Sequence, residues 1–261
     1  MSKRKNGNSN GKHKRKNDIE FLQQQLDNNV TAIEDHKRRK KKWSPHDLRN
    51  IKPLTPNQET MFQQYFQGNQ LCAYGSAGTG KTFLALYLAL IDVLDKALPQ
   101  RQLIIVRSAV ATRDIGFMPG TLEEKVSLYE MPYRDILTEL TDRPTAYDDM
   151  KNSGAISFMT TSFIRGLTWD DAIVVIDEGQ NMSWHEIDSI MTRVGAHSRV
   201  IFTGDLVQTD LNKNGKDKCG MQRFLKTIAK MGEFSTVQFS VEDIVRGELV
   251  KSWIMASEKT A

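Results

Sequence analysis

The chain has 261 residues, of which 39% are apolar, and its 36 Lys and Arg outweigh 32 Asp and Glu to give a formal net charge of +4. This length can bury one substantial core, and no stretch approaches the roughly 20 apolar residues that a membrane span requires. We therefore expect a soluble, cytoplasmic protein with no membrane partner. The two cysteines, Cys72 and Cys219, lack the spacing of a metal site.

The first 50 residues carry all of the basic excess. They contain 14 Lys and Arg against 6 Asp and Glu, a net charge of +8, which leaves −4 for the rest of the chain. Their basic runs lie among Asn, Gly and Ser, and such a composition cannot bury enough apolar surface to fold alone. We predict a disordered basic tail over residues 1–50 and one domain over 51–261. Such a tail either binds nucleic-acid phosphates through counterion release or only keeps the chain soluble.

Helical and strand-like patterns alternate along residues 51–203, which predicts an α/β fold with a parallel sheet covered by helices on both faces. Proline at position 56 suits a helix start, and Ser183 with Glu186 has the spacing of a capping box. The predicted helices are 56–67, 83–94, 121–140, 146–151 and 183–194, and the predicted strands are 70–74, 102–107, 155–159, 172–176 and 199–203.

A phosphate-binding loop of the form GxxxxGK[ST] joins the first predicted strand to the second predicted helix. Its residues are Gly75, Ser76, Ala77, Gly78, Thr79, Gly80, Lys81 and Thr82. Glycines let backbone N–H groups wrap around a phosphate chain, and the helix adds the positive end of its dipole. Lys81 then reaches the β- and γ-phosphates, and the Thr82 hydroxyl can bind Mg²⁺. The alternative is a glycine-rich turn, but the flanking strand and helix favour a nucleoside triphosphate site.

The apolar strand at 172–176 runs into Asp177 and Glu178. Ligands of open α/β sheets gather at the carboxyl ends of strands, so this acidic pair should lie beside the phosphate loop. Asp177 would hold Mg²⁺, and Glu178 would orient and deprotonate an attacking water. A solvated strand end is the competing interpretation of these two carboxylates.

The predicted strand at 199–203 carries a third signal, because it runs into a polar loop that includes Gly204, Asp205 and Gln208. The Gln208 amide could hydrogen-bond a γ-phosphate or the attacking water. The alternative is a turn built from Gly204 and Asp205. The position of this segment after the acidic pair favours the functional interpretation.

These motifs, in this order, resemble the PhoH family of phosphate-starvation-inducible ATPases over residues 54–256. The resemblance implies one RecA-like P-loop domain, similar to the first motor domain of superfamily-one helicases. The other segments that carry it are Arg107, Gly116-Phe117-Met118-Pro119-Gly120, Glu123-Glu124-Lys125, Phe163-Ile164-Arg165-Gly166, Asp177-Glu178-Gly179-Gln180-Asn181, Thr203-Gly204-Asp205 with Gln208, and Asp243-Ile244-Val245-Arg246.

The resemblance also implies roles for individual residues. Gln58 would read the adenine edge, although an exposed helix glutamine is an equal alternative. Arg246 would stabilise transition-state charge as an arginine finger, in cis or in trans, unless a salt bridge to Asp243 or Glu242 explains it. Gln180 and Gln208 would couple the γ-phosphate to movement. Arg107, Ser108 and Arg165 would line a face that contacts nucleic acid.

Two positions depart from the family pattern: Gly179 replaces a usual alanine, and Gly247 replaces a usual histidine. A second motor domain and a nuclease domain are also absent from this sequence. We therefore expect either a homo-oligomer, such as a hexameric ring, or hydrolysis without translocation. The leading hypothesis is an ATPase that uses ATP and Mg²⁺ and binds RNA or single-stranded nucleic acid. A nucleotide-dependent switch with a protein partner and a small-molecule kinase are the alternatives.

Overall fold

The structure, a computed structural model, describes residues 42–108, 122–205 and 220–258, apart from the side chains of 122–126 and 258. Four features predicted from sequence therefore lie outside the described residues: the tail up to residue 41, the segment 116–120, Gln208 and Cys219.

The chain divides into two units, Met1–Lys42 and Trp43–Ala261. Within the second unit, Trp43 and Leu48 are buried in the main apolar cluster, and a 3₁₀ turn over Pro45–Asp47 lies between them. The main apolar cluster thus includes two residues that precede the predicted domain boundary at Ile51. The physical reason is that two apolar side chains decide the packing of residues 43–50, whereas the boundary was drawn from the charge of the whole tail.

Helices and strands alternate through the described part of the domain. The helices are α1 (Pro56–Phe66), α2 (Lys81–Leu94), α3 (Leu122–Thr141), α4 (Ala146–Ser153), α5 (Trp184–Met191), α6 (Met221–Ile228) and α7 (Glu248–Glu258). The strands are β1 (Gln70–Gly75), β2 (Gln102–Arg107), β3 (Ile156–Thr160), β4 (Ala172–Asp177), β5 (Arg199–Gly204) and β6 (Phe234–Phe239). The first five helices and the first five strands were predicted, with ends that differ by a few residues. The capping box of Ser183 and Glu186 is also confirmed.

The last three elements, α6, β6 and α7, were not predicted. Strand β6 lies at the edge of the sheet and pairs only with β1 among the described strands. Its sequence mixes Ser, Thr and Gln with apolar residues because one face of an edge strand meets solvent. A half-exposed strand of this kind lacks the continuous apolar run that marks the buried strands.

The six strands form one parallel sheet in the order β3-β2-β4-β5-β1-β6. Arg107 at the end of β2 lies opposite Asp177 of β4 and Thr160 of β3, so the carboxyl ends of these strands share one edge. The phosphate loop leaves the sheet at the same edge, from β1. The strand register alone therefore places the phosphate loop and the acidic pair at the same edge of the sheet.

Alternate residues of each strand face two separate apolar layers. In β4, Ile173 and Val175 pack with helices α1 to α4, whereas Val174 and Ile176 pack with α5 and α6. The sheet thus has helices on both faces, and the predicted three-layer α/β fold is confirmed. Among the helices of the described ranges, none has both the length and the hydropathy to cross a membrane.

Candidate functional site

The phosphate loop has backbone geometry that only glycine fits at its first position. Gly75 has φ of 126°, and a Cβ atom there would lie 1.9 Å from the carbonyl oxygen of Phe239 in β6. The next residue, Ser76, donates its N–H to that same oxygen at 3.1 Å. The loop is therefore anchored to the neighbouring strand β6, and its first position requires glycine.

Lys81 begins helix α2 and directs its ammonium back over the loop. Its Nζ donates to the carbonyl oxygens of Ser76 at 2.6 Å and Gly75 at 3.0 Å. Gly80 precedes it in the left-handed conformation, with φ of 83°, as N-cap of the helix. The cation and the helix N-terminus thus converge on one small volume, which suits a polyphosphate.

Asp177 is buried and accepts hydrogen bonds from three hydroxyl groups. Thr82 and Thr203 both donate to its Oδ1 at 2.7 Å, and Tyr133 donates to its Oδ2 at 2.7 Å. Thr82 belongs to the phosphate loop, Thr203 to β5 and Tyr133 to α3. The carboxylate predicted to bind the metal is therefore the point where the loop, the sheet and a covering helix meet.

Glu178 adopts the left-handed conformation, with φ of 54°, which is uncommon outside glycine. Its Oε2 accepts from Gln180 Nε2 at 2.6 Å, and its Oε1 lies 3.9 Å from Arg107 Nη2. Burial and the neighbouring Asp177 raise the pKa of Glu178, although Arg107, Gln180 and Lys81 lower it in part. A raised pKa suits a carboxylate that accepts a proton.

Gln180 connects the acidic pair to strand β5. Its side-chain oxygen accepts the backbone N–H of Asp205 at 2.9 Å, while its nitrogen donates to Glu178. The end of β5 and the predicted base are therefore joined through one buried amide. The coupling role that the family resemblance implied for Gln180 stays a prediction, and Gln208 itself lies outside the described residues.

Gln58 is buried, with 3% of its surface exposed, so the alternative of an exposed helix glutamine is wrong. Its Nε2 donates to the carbonyl oxygen of Thr79 at 3.1 Å, and its Oε1 accepts from the N–H of Leu54 at 2.8 Å. The side chain thus supports the phosphate loop directly. After these two hydrogen bonds, the Gln58 side chain can still donate one amide hydrogen and accept one further hydrogen bond at its oxygen. One donor and one acceptor are what pairing with the edge of an adenine base requires.

Arg246 lies over the phosphate loop of its own chain. The preceding residue, Val245, donates its N–H to the carbonyl oxygen of Gly78 at 3.2 Å, and a Cβ at Gly78 would lie 3.1 Å from the Arg246 Cγ. Arg246 is exposed and lines a cavity of about 510 Å³ together with Lys81, Asp177 and Glu178. The predicted cation, metal ligand, base and arginine are thus brought to one cavity.

The alternative interpretation of Arg246 as a salt-bridge partner finds no support in the described residues, where its side chain forms no ion pair. The carboxylate of Asp243 instead accepts from Asn57 Nδ2 at 2.7 Å and from the Ser240 N–H at 2.9 Å. These hydrogen bonds outweigh the opposing effect of burial and lower the pKa of Asp243. Asp243 therefore fixes the segment before Arg246 to helix α1.

The three residues predicted to face nucleic acid separate in the structure. Arg107 points into the site beside Glu178, and Ser108 is buried, with its hydroxyl 3.2 Å from Glu186 Oε1. Arg165 is exposed and lines a second, polar cavity of about 380 Å³ with Ser162. The prediction is therefore wrong for Ser108, because the capping carboxylate of α5 draws its hydroxyl inward.

Sequence reasoning missed Tyr133, whose hydroxyl contacts Asp177, the carboxylate predicted to bind the metal. Tyr133 lies 44 positions before Asp177 in an amphipathic helix with one other aromatic residue, Tyr129. Nothing in that local pattern distinguishes a tyrosine that packs in the core from one that also reaches a site. Only the packing of α3 against the sheet reveals the contact.

The donor set fits Mg²⁺. The Thr82 hydroxyl oxygen and Asp177 Oδ1 lie 2.7 Å apart at the cavity wall, and Mg²⁺ is typically held by one or two protein oxygens together with water and phosphate oxygens. The described residues contain no cluster of three or more His, Cys, Asp or Glu that would hold a metal by protein ligands alone. Thr82 and Asp177 would therefore hold the ion jointly with a nucleotide.

Comparisons with known proteins agree with the motifs. The sequence model of the PhoH family, described as PhoH-like protein, matches residues 50–258. A PhoH-like protein of Mycobacterium leprae is 32% identical over 209 residues, which cover 80% of this chain and 58% of the relative. A PhoH-like protein of Bacillus subtilis is 30% identical over 246 residues, which cover 94% and 72%. The chain thus spans little more than half the length of the first of these relatives.

Among solved structures, the chain is similar to the Pif1 helicase from Candida albicans, with 18% identity and a TM-score of 0.37. The match covers 73% of this chain and 41% of the helicase.

Proposed function

The chain belongs to the PhoH family, and we propose that its domain binds ATP with Mg²⁺ through the phosphate loop and hydrolyses it. The observation that carries this proposal is the meeting of Lys81, Asp177, Glu178 and Arg246 around one cavity of about 510 Å³. A cation, a metal ligand, a base and a second cation are the parts that phosphoryl transfer to water requires.

Each residue has a distinct role in this proposal. Residues 75–82 bind the phosphates through backbone N–H groups and the Lys81 ammonium. Thr82 and Asp177 hold Mg²⁺, which supplies charge neutralisation at the β- and γ-phosphates when bound. Glu178 orients a water and accepts its proton, while Arg246 stabilises negative charge on the transferred group. Gln58 contacts the adenine edge through the amide hydrogen and the oxygen lone pair that its two hydrogen bonds to Leu54 and Thr79 leave available.

Steady-state hydrolysis of Mg-ATP tests the proposal. Lys81→Ala should weaken both nucleotide binding and turnover, because the loop loses its cation. Glu178→Gln should retain nucleotide binding but lower turnover by about 10²-fold or more, because the general base is removed while the shape is kept. Glu139→Gln is a matched control, since Glu139 is an exposed carboxylate that lines the same cavity away from the strand ends. Normal turnover by Glu178→Gln would exclude Glu178 as the base.

We also propose that hydrolysis is linked to RNA or single-stranded nucleic acid. Arg165 is exposed, and Phe163 beside it is 56% exposed, in the loop that follows β3 at the same sheet edge as the phosphate loop. A cation beside an exposed aromatic ring suits a phosphate and a stacked base. The basic tail would add affinity that is independent of sequence.

A nucleotide-dependent switch with a protein partner is the second candidate. Stimulation of hydrolysis by single-stranded RNA supports the nucleic-acid link, whereas slow hydrolysis that RNA leaves unchanged supports the switch. A homo-oligomer, including a hexameric ring, belongs to the first proposal, because neighbouring copies could supply a second face to the cavity.

A further inference from the structure

Tyr133 occupies an unusual place for a core tyrosine. Its side chain is completely buried, and its ring packs against Phe158 with a centroid separation of 5.7 Å. Its hydroxyl donates to Asp177 Oδ2 at 2.7 Å, on the carboxylate oxygen opposite the one that Thr82 and Thr203 contact. The packing of the ring thus fixes the position of a donor that holds one side of the carboxylate.

A carboxylate that lacks such a contact can rotate, because the terminal torsion of aspartate has a broad energy minimum. With Oδ2 held by Tyr133, Oδ1 must face Thr82 and the cavity. Oxygen atoms that reach Mg²⁺ need near-ideal octahedral placement. Binding of Mg²⁺ would therefore depend on the orientation of the Asp177 carboxylate as well as on its presence.

Arg107 extends the same arrangement to the second acid. Its guanidinium lies between Tyr133 and Glu178, with Nη2 3.9 Å from Glu178 Oε1, and only 21% of its side chain is exposed. Tyr133, Asp177 and Glu178 raise the pKa of Arg107 against the opposing effect of burial, so the guanidinium stays charged. Tyr133 therefore contacts Asp177 directly and is linked to Glu178 through Arg107.

We propose that Tyr133 is a positioning residue that orients Asp177 for Mg²⁺ and links both acids of the site to helix α3. The inference rests on the proposed function, since it concerns how the same metal is held. Helix α3 then has a role beyond covering the sheet, because it carries the Tyr133 hydroxyl that orients the carboxylate of Asp177.

Tyr133→Phe tests this role, because it removes only the hydroxyl. Binding of a fluorescent ATP analogue should be measured without metal and then during titration with Mg²⁺. Affinity without metal should be unchanged, because the phosphate loop is intact. The Mg²⁺ concentration that gives half of the metal-dependent tightening should rise by roughly 10- to 100-fold, the usual effect of losing a partner of a metal ligand.

Tyr65→Phe is the matched control. Tyr65 is also a buried tyrosine whose hydroxyl donates to an aspartate, Asp92, at 2.6 Å, but Asp92 does not line the nucleotide cavity. Both variants should lower the melting temperature by similar amounts, and only Tyr133→Phe should change the Mg²⁺ dependence.

An unchanged Mg²⁺ dependence in Tyr133→Phe would overturn the inference, as would an equal change in Tyr65→Phe, which would show a general structural effect. Failure of the proposed function has a different signature: Mg²⁺ would then fail to tighten nucleotide binding to the unaltered chain, and the inference would fall with it.

Discussion

At the residue scale, the position of Arg246 bears on whether it acts in cis or in trans, which the sequence left open. Val245 bonds to the carbonyl oxygen of Gly78, so the arginine that follows it is held above the phosphate loop of its own chain. We therefore propose that Arg246 acts in cis.

Mixing of two inactive variants tests this arrangement. Arg246→Ala should lower turnover by about 10²-fold or more, as loss of a transition-state donor does, whereas Lys251→Ala on the adjacent helix α7 should not. A mixture of Arg246→Ala with Lys81→Ala chains should show no activity above the sum of the two. Restored activity in the mixture would mean that Arg246 from one chain completes the loop of another.

At the scale of elements, the junction after β4 depends on β5. A Cβ at Gly179 would lie 2.1 Å from the ring of Phe202, which is fully buried and stacks on Phe224 at 4.3 Å between centroids. The alanine that the family usually has at this position therefore does not fit here. The glycine and the large aromatic residue of the neighbouring strand form a matched pair.

Gly179→Ala should lower the free energy of unfolding by about 1–3 kcal/mol, the usual effect of overpacking, or roughly 2–10 °C in melting temperature. Phe202→Leu in the same chain should recover part of this loss, because the smaller side chain vacates the space. Gly232→Ala is the control, since a Cβ there meets no atom within 4 Å. Losses that simply add in the double variant would contradict the pairing.

At the scale of the whole molecule, the boundary between tail and domain changes how the tail can be studied. Trp43 and Leu48 pack into the main core, so a truncation at residue 50 removes part of the folded domain together with the basic segment. A truncation at residue 42 removes 13 of the 14 Lys and Arg residues of the first 50 and leaves Trp43 and Leu48 in place. The two effects can therefore be separated by choosing where the chain begins.

Removal of residues 1–42 should leave the melting temperature unchanged, whereas removal of residues 1–50 should lower it. If the tail binds phosphates, removal of residues 1–42 should also weaken binding of single-stranded RNA and reduce the salt dependence of that binding. Each lost phosphate contact makes the negative slope of log K against log salt shallower by about 0.7. Binding measured over a range of salt concentrations gives this slope. Equal affinity and slope in the truncated chain would leave solubility as the role of the tail.

The sequence by itself determined the parts that depend on local spacing: the phosphate loop, the acidic pair, the capping box at Ser183 and most of the strands. It did so because glycine geometry, apolar runs and cap residues act over a few positions. Tertiary structure decided the rest. The contact of Tyr133 with Asp177, the inward turn of Ser108, the burial of Gln58 and the packing of Trp43 all join residues distant in sequence, and such contacts exist only once the parallel sheet has brought its strand ends to one edge.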